Sequence, residues 1–244
     1  GAAFEFRRDR IDFFVPKIDI SGVDYQKLLL GNGLSADSVI LENWHMHLYG
    51  DKRRPEKLHK SRDFFPHELF QLIRMPLALR SVALREGNIS FRESWPDTTE
   101  PGTITLNHII AEVGAVSNDK SLNGKTTNTK IEGNLKIMNA GLVKFIIDYQ
   151  LMNPRLVIDI HGNVGSMDAA LLNFYLAKTE PFTLTGNVYG ADLNISLRDS
   201  LMTGTLVPQY DSLHVSFFRW DLVQPVFVSL LANAIVISYH IPLD

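Results

Sequence analysis

Apolar and polar residues alternate with a period of two along most of the chain, the mark of half-buried β-strands. The clearest run covers residues 182–218. Its apolar positions fall on even numbers at Phe182, Leu184 and Val188, and on odd numbers at Leu193, Ile195 and Leu197. They return to even numbers at Met202 and Leu206 and to odd numbers at Leu213, Val215 and Phe217. Directly opposed residues of an antiparallel hairpin share a face, so a turn whose opposed numbers add to an odd total forces such a flip. Each flip therefore predicts a hairpin, with turns at Gly190-Ala191, Asp199-Ser200 and Gln209-Tyr210. The run reads as a four-stranded meander with one apolar face and one face of Thr, Ser, Asn and His. The same reasoning applies to "VKFIIDYQLMNPRLVIDIHGNV". Val143, Phe145, Ile147, Tyr149 and Leu151 give way to Leu156, Ile158, Ile160 and Val164 across an Asn153-Pro154 turn.

Helical periodicity is scarce. Ser166 as N-cap, Asp168 in the first turn and Pro181 beyond the end predict a helix over 166–177, with Met167, Leu171, Phe174 and either Tyr175 or Leu172 as its apolar stripe. One helix of that length covers only part of a sheet six strands wide. In the N-terminal half, strands are expected at 4–14, 39–49, 77–85, 88–94 and 103–113, with short helices at 23–33 and 66–76. Two polar stretches, 50–63 and 117–130, punctuate the pattern. The chain divides into a Gly-Ala-Ala cloning scar (1–3), an N-terminal β-rich half (4–116), a loop or hinge (117–130) and a C-terminal half (131–244). The alternation leaves open whether the halves share one sheet.

Composition narrows the function classes. The 244 residues are 45% hydrophobic and 21% charged, with a net charge of −3, which argues against disorder and against a global field for nucleic acid. There are no cysteines, so disulfides and thiolate metal sites are excluded. The longest apolar stretch, Val226–Ile241, is broken by polar residues and too short for a membrane-spanning helix. The chain reads as an excised piece of a longer protein.

Few residues suggest chemistry. His45 and His47 lie on one strand face, without a third metal ligand in register. Asp148 and Asp159 oppose one another on a polar face, where paired carboxylates can do acid–base work. "GNVGSMD" (162–168) is glycine-rich before a helix but lacks the Lys-Ser/Thr of a phosphate loop. Lys52, Arg53, Arg54, Lys57, Lys60 and Arg62 form a basic loop diluted by Asp51 and Glu56. The aromatic start, Phe4, Phe6, Phe13 and Phe14, suits a core. No catalytic constellation, cofactor motif or metal site emerges, so the expectation is a protein that is not an enzyme. The long apolar face is either a closed core or a groove for an apolar ligand.

The C-terminal half resembles the AsmA-like superfamily of TamB-related bacterial envelope proteins. The resemblance rests on Gly162, Gly165, Met167 and Asp168 at a strand-ending turn, Leu172-Asn173 in the following helix, Gly186, and the Gly204, Tyr210 and Leu213 strand pair. Residues 230–242 match the segment that usually follows, and "PKIDISGVDYQKLL" and "GNISFRE" fit the preceding strands more loosely. The resemblance implies a mainly β fold, with long antiparallel meander sheets curled into a groove or half-barrel and two to four short helices. It implies a periplasmic or cell-envelope location, with the full-length parent anchored in the inner membrane outside this sequence. It also implies a role in phospholipid transport or outer-membrane maintenance. The candidate acyl-chain contacts are Val143, Phe145, Ile147, Tyr149, Ile158, Ile160, Leu184, Val188, Leu193, Ile195, Met202 and Val215. The alternative is a non-catalytic scaffold or protein-interaction module with a closed β core.

Overall fold

The computed structural model describes residues 10–55, 66–118, 128–199, 201–217 and 235–240. The elements, in chain order, begin with β1 (Arg10–Phe14), β2 (Lys17–Ser21), α1 (Tyr25–Leu29), β3 (Leu34–Glu42), β4 (His45–Asp51) and α2 (Pro66–Gln71). They continue with β5 (Leu77–Ser94), β6 (Gly102–Val113), β7 (Val116–Ser117), β8 (Thr129–Ile137), β9 (Gly141–Tyr149), β10 (Val157–Val164) and β11 (Met167–Asp168). A 3-10 turn (Ala169–Leu172), α3 (Asn173–Thr179), β12 (Phe182–Arg198), β13 (Leu201–Phe217) and β14 (Ile235–His240) complete the described chain. The fold is mainly β and mostly antiparallel, as expected. The strands form one sheet whose principal path runs β1-β4-β5-β6-β8-β9-β10-β12-β13-β14 and does not close into a barrel. The β6–β8 ladder carries the sheet across the polar 117–130 stretch, so both halves belong to it.

The predicted four-stranded meander is instead two seventeen-residue strands, β12 and β13, joined by one hairpin. The Asp199-Ser200 reversal stands, with Leu197 opposite Met202. At Gly190-Ala191 and Gln209-Tyr210 the chain does not turn. The register slips there by single residues: Asn187 faces Asp211, Val188 faces Tyr210 and Gly190 faces Gln209. An extra residue in a strand moves every later side chain to the other face, as an odd hairpin does. Gly186 (φ 105°) and Ser212 (φ 53°) absorb the distortion. The β9–β10 hairpin has the expected register, Tyr149 opposite Ile158 and Ile147 opposite Ile160. The Asn153 side chain receives the Arg155 N–H at 2.9 Å, closing its turn.

The N-terminal half departs further from expectation. The strands expected at 77–85 and 88–94 are one, β5, while that expected at 39–49 is two, β3 and β4. Both β3 and β4 pair with β5 in parallel. Residues 17–21, within the "PKIDISGVDYQKLL" stretch that the resemblance matches to a strand, form β2, and the α1 and α2 helices are shorter than expected. Left-handed backbone at Asn43, Glu86 and His108 (φ 50–52°) marks one level across β3–β4, β5 and β6. The β5–β6 and β6–β8 registers slip there, and His108 Nδ1 lies 2.9 Å from Glu86 Oε2 across the break. Residues 1–9, which include the Phe4 and Phe6 positions and the stretch expected to be a scar, lie outside the described residues.

The connector between β10 and β12 fills a notch. Strands β8, β9 and β10 stop at Ile137, Gly141 and Val164, while β5, β6, β12 and β13 run on. In place of one helix over 166–177 stand β11, the 3-10 turn and a seven-residue α3. Asp168, not Ser166, supplies the capping oxygen, which accepts the Ala170 N–H at 2.8 Å. Ala169, Phe182 and Leu184 form a buried core here, packed by Leu172, Leu176, Val188, Leu213, Val215 and Phe217. Phe174, placed on the apolar stripe by sequence, points to solvent instead. Asn173 clamps β12, donating to Leu184 O at 2.7 Å and accepting the Leu184 N–H at 2.8 Å. Tyr175 reaches the other side of the notch, packing on Phe91 and donating to the buried Glu93 carboxylate at 3.1 Å.

Candidate functional site: an apolar sheet face

Successive ladders bring apolar residues into straight rows across the sheet. Directly opposed partners run Ile20, Val39, Val82, Val113, Ile131, Ile147, Ile160, Ile195 and Gly204 through nine strands. The neighbouring row runs Ile18, Leu41, Leu84, Ala111, Gly133, Phe145, Gly162, Leu193 and Leu206. Opposed residues share a face, so both rows lie on one side. At ~4.8 Å per strand they are about 38 Å long. A further row beyond the bulge line, Phe13, Met46, Ile89, Leu106 and Ile137, joins the same face because β8 carries no bulge between Ile131 and Ile137. Gly133, Gly162 and Gly204 carry no side chain in these rows; an added Cβ would meet nothing closer than 3.4 Å at Gly162, but neighbouring backbone at 2.3 Å at Gly133 and 2.4 Å at Gly204.

Burial separates two regions of this face. Under the connector, Phe182 and Leu184 are 3% and 8% exposed. Along the two long rows the large side chains remain half-buried in mid-sheet and become exposed at the edge, where Ile20 is 47% and Ile18 52% open. A second layer would bury mid-sheet positions as the connector buries Leu184. The packing of α1 is on β3, and that of α3 is on β5, β6 and β12.

The twelve candidate contacts divide accordingly. Leu184, Val188 and Val215 belong to the protein core beneath the connector. Val143 is buried near the same end. Phe145, Ile147, Tyr149, Ile158, Ile160, Leu193, Ile195 and Met202 lie together on the half-buried stretch. The N-terminal half contributes Ile18, Ile20, Val39, Leu41, Val82, Leu84 and Val113 to the same rows, and these were not among the candidates. Their alternation was visible, but breaks at residues 43, 86 and 108 hid that they share its face.

Trp44 lies at the bulge line, 5% exposed. It stands 6.1 Å from the Phe13 ring and directly over Gly87, where an added Cβ would fall 2.0 Å from the indole.

Among the described residues polar groups are engaged with one another. Asp159 faces Asp148 as expected. Its carboxylate accepts from Ser196 Oγ at 2.6 Å and from Arg198 at 2.7 and 2.8 Å. These partners, the Ser196 hydrogen bond foremost, hold Asp159 below the usual carboxylate value. His45 and His47 project from β4, and among the described residues no cluster of three or more His, Asp or Glu could hold a metal. The 162–168 segment is a strand-to-turn passage in which Met167 packs over Gly141. In the basic loop, Arg53 and Arg54 bond the buried Asp51, and Lys52 pairs with Glu93 at 3.4 Å. Those three cations serve the fold, while Lys57, Lys60 and Arg62 lie outside the described residues. Glu93 also receives Trp95 Nε1 at 3.0 Å. Half-burial, reinforced by the Glu93 charge, pushes the nearby Glu180 carboxyl up. Burial, again with Glu93, pushes the Tyr175 phenol up. Among the described residues no helix is long and apolar enough to cross a membrane. No protein-family profile matches the chain, and no curated protein sequence matches it.

Proposed function

We propose that the half-buried apolar face holds lipid acyl chains, and that the chain is a periplasmic or envelope segment of an AsmA-like protein that contributes to phospholipid movement or outer-membrane maintenance. The observation that supports this reading is the pair of nine-strand apolar rows on a face that, among the described residues, only the connector, at one end, packs shut. The mechanism is passive. Each acyl CH₂ leaving water for such a surface gains ~0.8 kcal/mol, with no bond made or broken. Half-buried Ile, Val and Phe side chains supply the surface, and the missing side chain at Gly162 lets a chain approach the backbone. A membrane anchor, in this reading, belongs to the parent protein outside this sequence. The buried core under the connector favours a second reading for that end alone, as a rigid plug that seals one end of the sheet.

Native mass spectrometry of the purified protein, with organic extraction and uptake of a fluorescent phospholipid, tests the proposal. Co-purifying phospholipid and saturable uptake are expected. A protein that carries no lipid and takes up none is a scaffold with a bare or self-covered face, and the proposal fails.

A further inference from the structure

We propose that the end of the sheet built by α1 and the 72–76 loop docks onto a bilayer surface carrying anionic headgroups. Two segments far apart in sequence each push large aliphatic side chains into solvent there. Leu29 is 84% and Leu30 66% exposed, beside Leu28; Leu72 is 60% exposed, beside Ile73 and Met75. The two segments adjoin. Leu34 N donates to Pro76 O at 2.8 Å, and Lys27, Leu72, Ile73 and Arg74 line one hollow.

The loop is held in this shape. Asn118, itself 7% exposed, donates to Ile73 O at 3.0 Å and Met75 O at 2.9 Å. It also accepts the Leu77 N–H at 2.7 Å. The loop's carbonyls are therefore satisfied inward and its apolar side chains project outward, so little ordering entropy remains to be lost on docking. Charge points to the same surface. The ammonium of Lys27 and the guanidinium of Arg74 have no ion-pair partner among the described residues. The nearby acids are engaged: Asp24 caps α1 by accepting the Lys27 N–H at 2.9 Å, and Asp37 pairs with Arg80 at 2.7 Å. Protruding aliphatic groups with free cations at their base match a bilayer interface, where apolar groups enter the acyl boundary and the cations stay among phosphates. Docking stands independently of whether the apolar face binds acyl chains.

Flotation of the full chain with phosphatidylcholine vesicles, with and without about a third phosphatidylglycerol, tests this. Binding to the anionic vesicles, weakened by high salt, is expected. Leu29→Asp/Leu72→Asp should lower the bound fraction about tenfold on both vesicle types. Lys27→Glu/Arg74→Glu should remove the preference for anionic vesicles, and Leu142→Asp, on the opposite face of the sheet, should leave binding unchanged. All five positions are outside the buried core, and circular dichroism checks that each variant is folded. No binding to anionic vesicles, or binding that the Leu29 and Leu72 changes leave intact, overturns the proposal. So does a dimer, seen by light scattering, that those changes dissociate, because the patch is then a contact between copies.

Discussion

Gly190 stands directly opposite Gln209 in the β12–β13 ladder, although the alternation of apolar residues places a chain reversal at each. The arrangement can be tested covalently because the chain has no cysteine. Asp192 and Val207 are paired and exposed, and opposed antiparallel residues have Cα atoms ~4.5–5.5 Å apart, within reach of a disulfide. Asp192→Cys/Val207→Cys should crosslink nearly completely under mild oxidation, read by peptide mass mapping. A three-hairpin arrangement would place residue 192 against 189 and leave both thiols free.

The same pair shows what was legible in the sequence. Every parity change between 182 and 218 was real, and each keeps apolar side chains on one face. Their cause was not legible, since an inserted residue and an odd hairpin flip the pattern identically. The Asp199-Ser200 turn and the β9–β10 hairpin could be read because local turn chemistry agreed with parity. The parallel β3–β5 and β4–β5 pairings are non-local and leave no local signature. The acyl-contact candidates had the same limit. Alternation identified apolar positions, but only the sheet path shows that the connector covers Leu184 and Val215 and not Ile160 or Ile195.

Trp44 and Gly87 make a second test. A methyl group at 87 would overlap the indole, so Gly87→Ala must displace a nearly buried Trp. Overpacking of this kind costs about 1–3 kcal/mol, with a further loss where the ring leaves its site. Urea denaturation should show a fall of about 3 kcal/mol, with tryptophan emission shifted to the red in the native state. Gly114→Ala, where the added Cβ would lie 3.4 Å from its nearest neighbour, should change stability by less than about 1 kcal/mol. Equal effects at both positions would contradict the packing.

Two carboxylates predict pH dependences of opposite sign. Asp159 has a folded-state pKa depressed by Ser196 and Arg198, so its contribution is complete above the unfolded value and is lost as pH falls through the folded one. Asp159→Asn should cost about 1 kcal/mol at neutral pH, and the gap to the parent protein should close in acid. Glu180 is raised by burial and by Glu93, so its ionised form opposes folding above that value. Glu180→Gln should therefore stabilise at neutral pH, the gain vanishing as pH falls below the ordinary carboxylate value of 4.5. Urea midpoints at a series of pH values check both, and parallel trends for the two variants would refute the assignment.

The covered and open parts of the apolar face should respond differently to mutation. Leu184 is 8% exposed beneath the connector, and Leu184→Ala should cost about 2–5 kcal/mol while leaving lipid retained per folded molecule unchanged. Ile160 and Ile195 face one another on the half-buried rows. Thr keeps the β-branch a strand favours, so Ile160→Thr/Ile195→Thr should lose less than about 3 kcal/mol. It also places two hydroxyls where an acyl chain would lie, and the phospholipid recovered by extraction should fall several-fold. Leu142→Asp, on the opposite face where Leu142 is 42% exposed, should change neither quantity. If retained lipid instead follows Leu184 and ignores Ile160 and Ile195, the ligand lies under the connector, and the rows are an uncovered scaffold surface.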